Sequence, residues 1–333
     1  MIELRNDQLC VSVPDVHKDA TGQICFQRTL RIPDDNREYP LPAGLGEFPI
    51  FHVDDYAKIV PVDWIDHGGV FLPMYQSEAM WISFNWVSRY PFAIKIAAGK
   101  INAVTGEPWT NGLSDSPQDY VVVPEQPWLD GFSIREGLIR QFVAMPLGEG
   151  YTAEGQITGE EHHGGLQLAI YPMKAEYYEK HIASQAVHSD ARYSMMEADF
   201  CVDAAEMGLA PGGLMRQEIY DDPYGLDAWE TSAMSRCFVH IVNSSTFHSI
   251  TGLRSPTEPF TADEYEAANM PWFNYWDDEA KALKGSKILA RLDSVVAKKI
   301  KDGKPVKEPI VDIKDENVVQ LGQRKSKVRD GRF

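Results

Sequence analysis

Short apolar runs separated by turn-forming residues fill the first two-thirds of the chain. The runs are rich in Val, Ile, Phe, Tyr and Trp, the residue types that strands favour. This pattern predicts strands at residues 2–4, 8–13, 23–32, 69–72, 79–86, 92–97, 120–123, 139–144, 166–171 and 236–242. Polar turn segments such as Asp34-Asp35-Asn36 and Asn111-Gly112 connect them. We therefore expect a large β-rich, sandwich-like body over residues 1–255.

The spacing of apolar residues changes from that of strands to that of a helix near residue 175. Tyr177, Tyr178, His181 and Ile182 recur at intervals that fit a helix better than a strand. Because a strand is again predicted at residues 236–242, the β-rich body continues beyond this region. The pattern therefore predicts a helical insertion near residues 173–207.

Residues 256–302 carry two helix signals. Thr261 and Glu264 form a capping box, which predicts a short helix at residues 262–268. A second helix is predicted after Ser286, where a single apolar stripe contains Ile288, Leu289, Leu292, Val295, Val296 and Ile300. Together with the β-rich body, this helical C-terminal segment predicts an α+β protein in which the stripe packs on the rest of the chain.

The charge of the chain bears on its partners. The formal net charge is -17, and such a surface repels nucleic-acid phosphates and anionic membranes. Residues 298–333 contain eleven Lys or Arg and six Asp or Glu, so this stretch carries +5 and the remainder -22. We expect residues 303–333 to be a basic, poorly ordered tail, in which residues 317–321 add an edge strand. The tail then contacts the acidic body, joins copies into a homo-oligomer, or stays solvated.

The sequence has features of a soluble cytoplasmic protein. Residues 1–13 alternate between apolar and polar types and lack the continuous apolar core of a signal peptide. The longest apolar runs are far shorter than the roughly 20 residues that a membrane helix needs. The four cysteines, Cys10, Cys25, Cys201 and Cys237, form no Cys-x-x-Cys pair. We expect free, buried thiols and no membrane span.

Glu160, Glu161, His162 and His163 are the candidate metal ligands. They are consecutive and are followed by Gly164-Gly165, and carboxylates and imidazoles are common ligands. Adjacent residues point in different directions on either a strand or a helix, so two neighbouring histidines seldom bind one ion. A metal site and a polar hairpin loop are both open interpretations of this segment.

An acidic region between residues 190 and 230 offers a second candidate. Asp221, Asp222 and Asp227 flank Gly225, and oxygen-rich loops of this kind attract calcium. The spacing does not match the twelve-residue calcium loop. The alternative is a solvated acidic surface.

Four tryptophans are the candidate ligand-binding residues: Trp81, Trp86, Trp109 and Trp128. Aromatic rings grouped on one surface form a platform for a sugar or another apolar ligand face, whereas buried rings only fill the core. Strand alternation places Trp81 on the face opposite Trp86. The pattern is therefore consistent with a binding platform and equally with core packing.

Familiar catalytic signatures are missing from the sequence. It contains no Gly-x-Gly-x-x-Gly, no phosphate-binding loop and no His-Glu-x-x-His, and no Gly-x-Ser-x-Gly elbow in a strand-to-helix setting. Cys237, His240 and His248 stay open as residues that meet through the fold. The sequence identifies no cofactor.

Two sequence blocks resemble those of other proteins. Residues 140–159, which read RQFVAMPLGEGYTAEGQITG, and residues 164–167, which read GGLQ, resemble a family of uncharacterised bacterial proteins, some of them labelled membrane proteins. The resemblance covers most of the chain and implies one shared architecture. It implies no activity, cofactor or catalytic residue.

Three functions follow as hypotheses. The first is a non-catalytic binding or assembly protein that contacts a protein partner or associates with itself. The second is a metal-assisted hydrolase that uses His162 and His163 with nearby carboxylates. The third is a carbohydrate or small-ligand binding protein that uses exposed tryptophans. Convergence of His162 and His163 with His240 or His248 in one concave site would favour the second.

Overall fold

The computed structural model describes residues 1–86, 88–182, 206–275, 277 and 280–321. The first ten strands are β1 (Ile2–Arg5), β2 (Gln8–Ser12), β3 (Thr21–Thr29), β4 (Glu38–Tyr39), β5 (Leu41–Pro42), β6 (Gly44–Glu47), β7 (Phe51–His52), β8 (Val70–Met74), β9 (Ala79–Asn85) and β10 (Phe92–Ala98). The next ten are β11 (Ile101–Asn102), β12 (Val121–Val123), β13 (Trp128–Leu129), β14 (Gly131–Arg135), β15 (Leu138–Pro146), β16 (Leu166–Pro172), β17 (Glu206–Arg216), β18 (Ser235–Asn243), β19 (Trp272–Tyr275) and β20 (Val318–Leu321).

The α-helices in the described ranges are short. They are α1 (Val62–His67), α2 (Ala153–Thr158), α3 (Ala175–His181), α4 (Phe247–Thr251), α5 (Ala262–Ala267) and α6 (Val295–Lys301). None of these helices has the length and apolar character needed to cross a lipid bilayer.

Seventeen of these strands form one large, mostly antiparallel sheet. One run of pairings joins β1, β2, β3, β9, β15 and β17, and β17 then pairs with β18. From β18 the sheet continues through β16 and β10 to β12. Parallel pairs occur between β18 and β8 and between β17 and β4. The remaining strands, β20, β19 and β5, form a separate small sheet.

Each of the ten predicted strands overlaps an observed strand. The prediction at residues 79–86 corresponds to β9, and that at residues 139–144 corresponds to β15. One continuous buried core contains apolar side chains from both series of paired strands, the series from β1 to β17 and the series from β18 to β12. Phe26 of β3 and Ile94 of β10 are examples. Burial in this shared core explains why β-branched and aromatic residues dominate the strands. The expected β-rich character is therefore confirmed.

The longest strand, β17, was missed by the sequence pattern. It contains Pro211, Gly212 and Gly213, residues that normally interrupt strands. The register of the pairing between β15 and β17 shifts at Gln141, opposite these residues. Pro211 therefore lies beside a β-bulge, a position at which a residue without an N–H is accommodated. A Cβ atom on Gly213 would lie 2.4 Å from the Pro33 carbonyl oxygen. The glycine is therefore needed for close approach of another chain segment.

The helical insertion predicted near residues 173–207 is described only at its two ends. Helix α3 confirms the helical spacing at its start, and Tyr178 packs on Tyr90 with ring centres 4.3 Å apart. Its far end is strand, because β17 begins at Glu206. Residues 183–205 lie outside the described residues.

The C-terminal segment is less helical than expected. Helix α5 confirms the capping box, with Thr261 and Glu264 bonded reciprocally. The prediction of one helix after Ser286 is wrong: Leu289–Arg291 form a single 3-10 turn, Leu292 is extended, and Ser294 starts α6. The Ser286 hydroxyl accepts from the Leu289 N–H, and the Ser294 hydroxyl caps α6 by accepting from the Ala297 N–H, so the apolar stripe is split between two short elements.

The tail is described as far as Leu321. The Glu308 carboxylate lies 2.9 Å from the Arg31 guanidinium, and Val311 is buried. Strand β20 pairs in parallel with β19, which confirms the edge strand expected at residues 317–321. The prediction for residues 322–333 lies outside the described part of the chain.

The described cysteines are free thiols. Cys25 and Cys237 are buried and Cys10 is half-buried, and burial raises the pKa of both buried thiols to about 12. These thiols are therefore protonated and unreactive near neutral pH. Cys201 is outside the described residues.

Candidate functional site

The four predicted tryptophans lie in three different places. Trp86 is buried in the core, where its ring packs 5.3 Å from that of Phe92. A Cβ atom on Gly22 would lie 2.1 Å from this indole, so only glycine in β3 leaves room for it. Trp109 lies beside Lys95 and Arg236, whose charged groups are 5.3 and 5.5 Å from ring centres of its indole.

The remaining two tryptophans pack against each other. The ring centres of Trp81 and Trp128 are 6.2 Å apart, and Trp128 lies 4.9 Å from the ring of Tyr275. The structure therefore brings Trp81 and Trp128 together, adds Tyr275 to them, and keeps Trp86 and Trp109 elsewhere.

The segment from Glu160 to His163 connects α2 with β16, and its side chains diverge. Glu161 turns back to the start of α2, where it accepts hydrogen bonds from the Thr152 hydroxyl at 2.5 Å and the Gly150 N–H at 3.0 Å. Glu160 and His162 are exposed and lie 3.7 Å apart. The His163 N–H donates to Glu154 at 3.1 Å. The segment thus contributes a structural carboxylate and two separated imidazoles.

His163 contributes to a second group of imidazoles, which we call the histidine corner: His67, His163 and His240. The His67 ring centre is 5.8 Å from that of His163 and 6.4 Å from that of His240. His240 stacks on Trp64 and bonds to the Gly68 carbonyl through Nε2 at 3.0 Å. Burial lowers the His240 pKa to about 4, so this imidazole is neutral at pH 7.

The histidine corner encloses a cavity of about 20 Å³, which has room for about one water molecule. Within the described ranges, no group of three or more His, Cys, Asp or Glu residues is arranged to hold a metal ion. The His240 ring is already engaged by Trp64 and the Gly68 carbonyl. The histidines therefore approach one another without sharing one coordination centre.

A large cavity in the described part of the chain has a volume of about 910 Å³. We call it the main cavity. Its walls come from residues 104–105, 115–120, 136, 221–225 and 281–288. The volume is at the upper end of the roughly 300–1,000 Å³ typical of small-molecule sites.

Asp222 organises one wall of the main cavity. Its carboxylate accepts hydrogen bonds from the Tyr120 hydroxyl at 2.6 Å, the Trp229 indole N–H at 2.8 Å and the Tyr224 N–H at 2.8 Å. Its own N–H donates to the Gln118 side chain at 2.7 Å. Burial, followed by the bond to Asp222, raises the pKa of Tyr120. The phenol is therefore a fixed neutral donor at physiological pH.

A buried ion pair fixes the loop that forms the second wall, which adjoins the first through the bond between Gln118 and Asp222. Lys95 is 1% exposed, and its Nζ lies 2.6 Å from the Asp119 carboxylate. The same ammonium donates to the carbonyls of Thr110 and Gly112 at 2.9 and 2.8 Å. Asn102 donates to the Asp119 carbonyl at 2.7 Å. These bonds hold residues 110–119 in one conformation, so this wall is preformed.

The third wall carries Lys281, Lys284 and Lys287. Residues 281–283 run beside residues 219–221, because the Leu283 N–H donates to the Ile219 carbonyl and the Asp221 N–H donates to the Lys281 carbonyl. The Ser286 hydroxyl donates to the Thr105 carbonyl at 2.5 Å. The lysine segment is therefore tied to both neighbouring walls.

A smaller cavity of about 340 Å³, which we call the side cavity, lies beyond Glu136. Glu136 lines both cavities. The other residues of the side cavity are Glu38, Arg135, Gly137, Leu138, Arg216, Gln217, Glu218, Asn274 and Tyr275.

Sequence patterns identified part of the main cavity. The oxygen-rich loop predicted at Asp221, Asp222 and Asp227 around Gly225 contributes Asp221, Asp222 and Gly225 to the lining of the main cavity, whereas Asp227 is not part of that lining. Tyr120, the lysine segment and Glu136 were not identified as site residues. The spacing of three lysines around Gly285 is the one local signal that marks the third wall, and it resembles any solvated surface.

Comparison with known proteins gives no relative from which a function can be transferred: no family model, no curated protein and no solved structure matches the chain.

Proposed function

We propose that this chain is a non-catalytic binding protein that holds a polar ligand in the main cavity. The observation that carries the proposal is the preformed, hydrogen-bonded wall around Asp222. Ligand sites are typically concave, largely formed before binding, and supplied with a few fixed polar groups. The main cavity has these properties.

The electrostatics of the cavity support binding rather than proton transfer. The Asp222 carboxylate is occupied by three donors, and the pKa of Tyr120 is moved away from neutrality. A general acid or base works best with a pKa near the operating pH. These groups are arranged to orient a ligand through fixed donors and acceptors.

A ligand screen with a blocking variant tests this proposal. Thermal shift and titration calorimetry with a library of polar small molecules select binders of the wild-type chain. Lys284→Trp places an indole in the cavity, and we expect it to weaken these binders at least about tenfold, equal to about 1.4 kcal/mol. Lys314→Trp, at an exposed position outside the cavity, serves as the control. Binders that keep full affinity for Lys284→Trp would place the site elsewhere.

A metal-assisted hydrolase is the second candidate, and the approach of His67 to both His163 and His240 favours it. We rank it below binding because His240 is occupied by Trp64 and the Gly68 carbonyl. Elemental analysis of the purified protein and of His67→Gln tests it. Stoichiometric zinc that is lost in the variant would reverse the ranking.

A further inference from the structure

The main cavity and the side cavity are neighbours that share Glu136 as a lining residue, and together we call them the groove. Residues 216–218 line the side cavity and residues 221–222 line the main cavity. Residues 274–275 and 281–288 are divided between the two cavities in the same way. A ligand that fills only the main cavity already reaches the size of a typical small molecule. The added length fits a ligand built of several units.

Charges of both signs line the groove. In the main cavity, Lys281, Lys284 and Lys287 lie in the same lining as Asp221 and Asp222, and Lys281 pairs with Asp221. In the side cavity, Arg135 contacts Glu38, and Arg216 and Glu218 are both lining residues. A strongly charged polymer would meet like charges along such a path. The balance favours a neutral ligand that offers hydrogen-bond donors and acceptors in every unit.

An aromatic ring with rigid support lies in the side cavity. Tyr275 contacts Trp128 with ring centres 4.9 Å apart and Tyr220 with ring centres 6.4 Å apart. Neighbouring Asn274, Gln217 and Glu218 also line the side cavity. A ring beside polar side chains suits a saccharide unit, which presents C–H groups on one face and hydroxyl groups at its edge.

We propose that the ligand is a linear neutral oligosaccharide. This inference rests on the proposed function, because the first sugar units occupy the main cavity. The chain of the sugar then passes Glu136, and a further unit stacks on Tyr275 in the side cavity. The acidic and basic side chains that line the two cavities supply hydrogen bonds to the sugar units.

Titration with linear malto-, cello-, xylo- and laminari-oligosaccharides, from dimers to hexamers, tests the proposal. We expect the affinity for one series to rise with chain length, and the gain from dimer to hexamer to be about tenfold, equal to about 1.4 kcal/mol. Tyr275→Ala should abolish the gain and leave dimer affinity unchanged. Tyr275→Phe keeps the ring and should retain the gain.

A second variant protects the test against misfolding of Tyr275→Ala. Arg216 is exposed in the side cavity, so Arg216→Ala disturbs no core contact and should reduce hexamer affinity alone. Arg254→Ala, at an exposed position outside both cavities, should have no effect. Equal losses for dimer and hexamer, or no binding by any series, would overturn the inference. If other polar compounds still bind and are blocked by Lys284→Trp, the proposed function survives that result.

Discussion

Three buried carboxylates distinguish the interior at the scale of single residues. Burial raises the pKa of Glu78, Asp130 and Glu154 to about 7. Asp130 is 2% exposed, and its carboxylate accepts a hydrogen bond from the Gln217 amide at 2.7 Å. The folded chain therefore keeps protons on these groups up to a higher pH than the unfolded chain does.

This proton retention makes stability depend on pH. Each group has a raised folded-state pKa, so the free energy of unfolding falls as pH rises from about 4 to about 7. Asp130→Asn removes one such group and keeps an oxygen acceptor for Gln217. We expect the variant to gain of the order of a few kcal/mol over wild type at pH 8 and almost nothing at pH 4.

Urea unfolding of wild type and Asp130→Asn at both pH values measures this difference. Glu160→Gln, at an exposed carboxylate, is the control and should match wild type throughout. A constant difference between Asp130→Asn and wild type across the pH range would mean that Asp130 is ionised in the folded chain.

The amino-acid sequence predicts which side chains can bind or react better than it predicts where those side chains lie in the fold. Alternation correctly separated buried Trp86 from half-buried Trp81. The contacts of Trp81 with Trp128 and of Asp222 with Tyr120 join distant parts of the chain, so no local pattern reveals them. The same holds for the histidine corner, in which His67 of α1 lies near both His163 and His240 of β18.

At the scale of elements, one hydroxyl joins α5 to two other segments. Tyr265 Oη accepts from the Ala43 N–H at 2.8 Å and donates to the Pro271 carbonyl at 2.5 Å. Its ring packs on Trp272 of β19 at 5.2 Å. Tyr265 therefore ties the C-terminal segment to the chain that follows β5.

Tyr265→Phe should keep the ring and lose both hydrogen bonds. Because the Ala43 N–H is then left without this partner, we expect a loss of about 1–3 kcal/mol. Hydrogen exchange should accelerate at the Ala43 amide, while the Ile94 amide in β10 provides an internal reference for local effects. Unchanged exchange at Ala43 would show that another acceptor replaces the hydroxyl.

Elements with one consistent local signal were predictable, and elements with conflicting signals were not. The capping box fixed the start of α5. Strand β17 was missed because Pro211 and two glycines serve tertiary packing there. The second C-terminal helix is predicted too long, because its apolar spacing continues across two elements. The hydrogen bonds of the Ser286 and Ser294 hydroxyls mark the separate starts of these elements.

At the scale of the whole molecule, residues 31–34 anchor the C-terminal segment. The Asp34 carboxylate accepts from the Arg140 guanidinium at 3.3 Å and from the Val296 N–H at 3.1 Å. Glu308 accepts from both Arg31 and the Asp34 N–H. These bonds connect α6 and the tail to the large sheet, so the segment is part of the fold.

Two truncations separate the stabilising role of the tail from its charge. Ending the chain after Gly303 removes Glu308, Val311 and β20, and we expect Tm to fall by roughly 2–4 °C for each kcal/mol lost. Ending it after Leu321 keeps these contacts and should leave Tm unchanged, while five of the basic residues are removed. Calorimetry measures both, and equal Tm values for all three chains would contradict the anchoring role.

The same truncations test whether the tail joins copies of the chain. If the basic residues after Leu321 hold a homo-oligomer together, sedimentation velocity should show a smaller species for the chain that ends at Leu321. An unchanged sedimentation coefficient would assign assembly to another surface.

The main cavity has walls drawn from residues 104 to 288. Synthesis proceeds from the N-terminus, and domains fold as their residues emerge. The cavity is therefore complete only after the lysine segment has left the ribosome and paired with residues 219–221. A nascent or nicked chain that lacks this segment would bury much of the same core and yet have an open, incomplete cavity. The ligand binding proposed for this cavity would therefore require a chain that extends at least through the lysine segment.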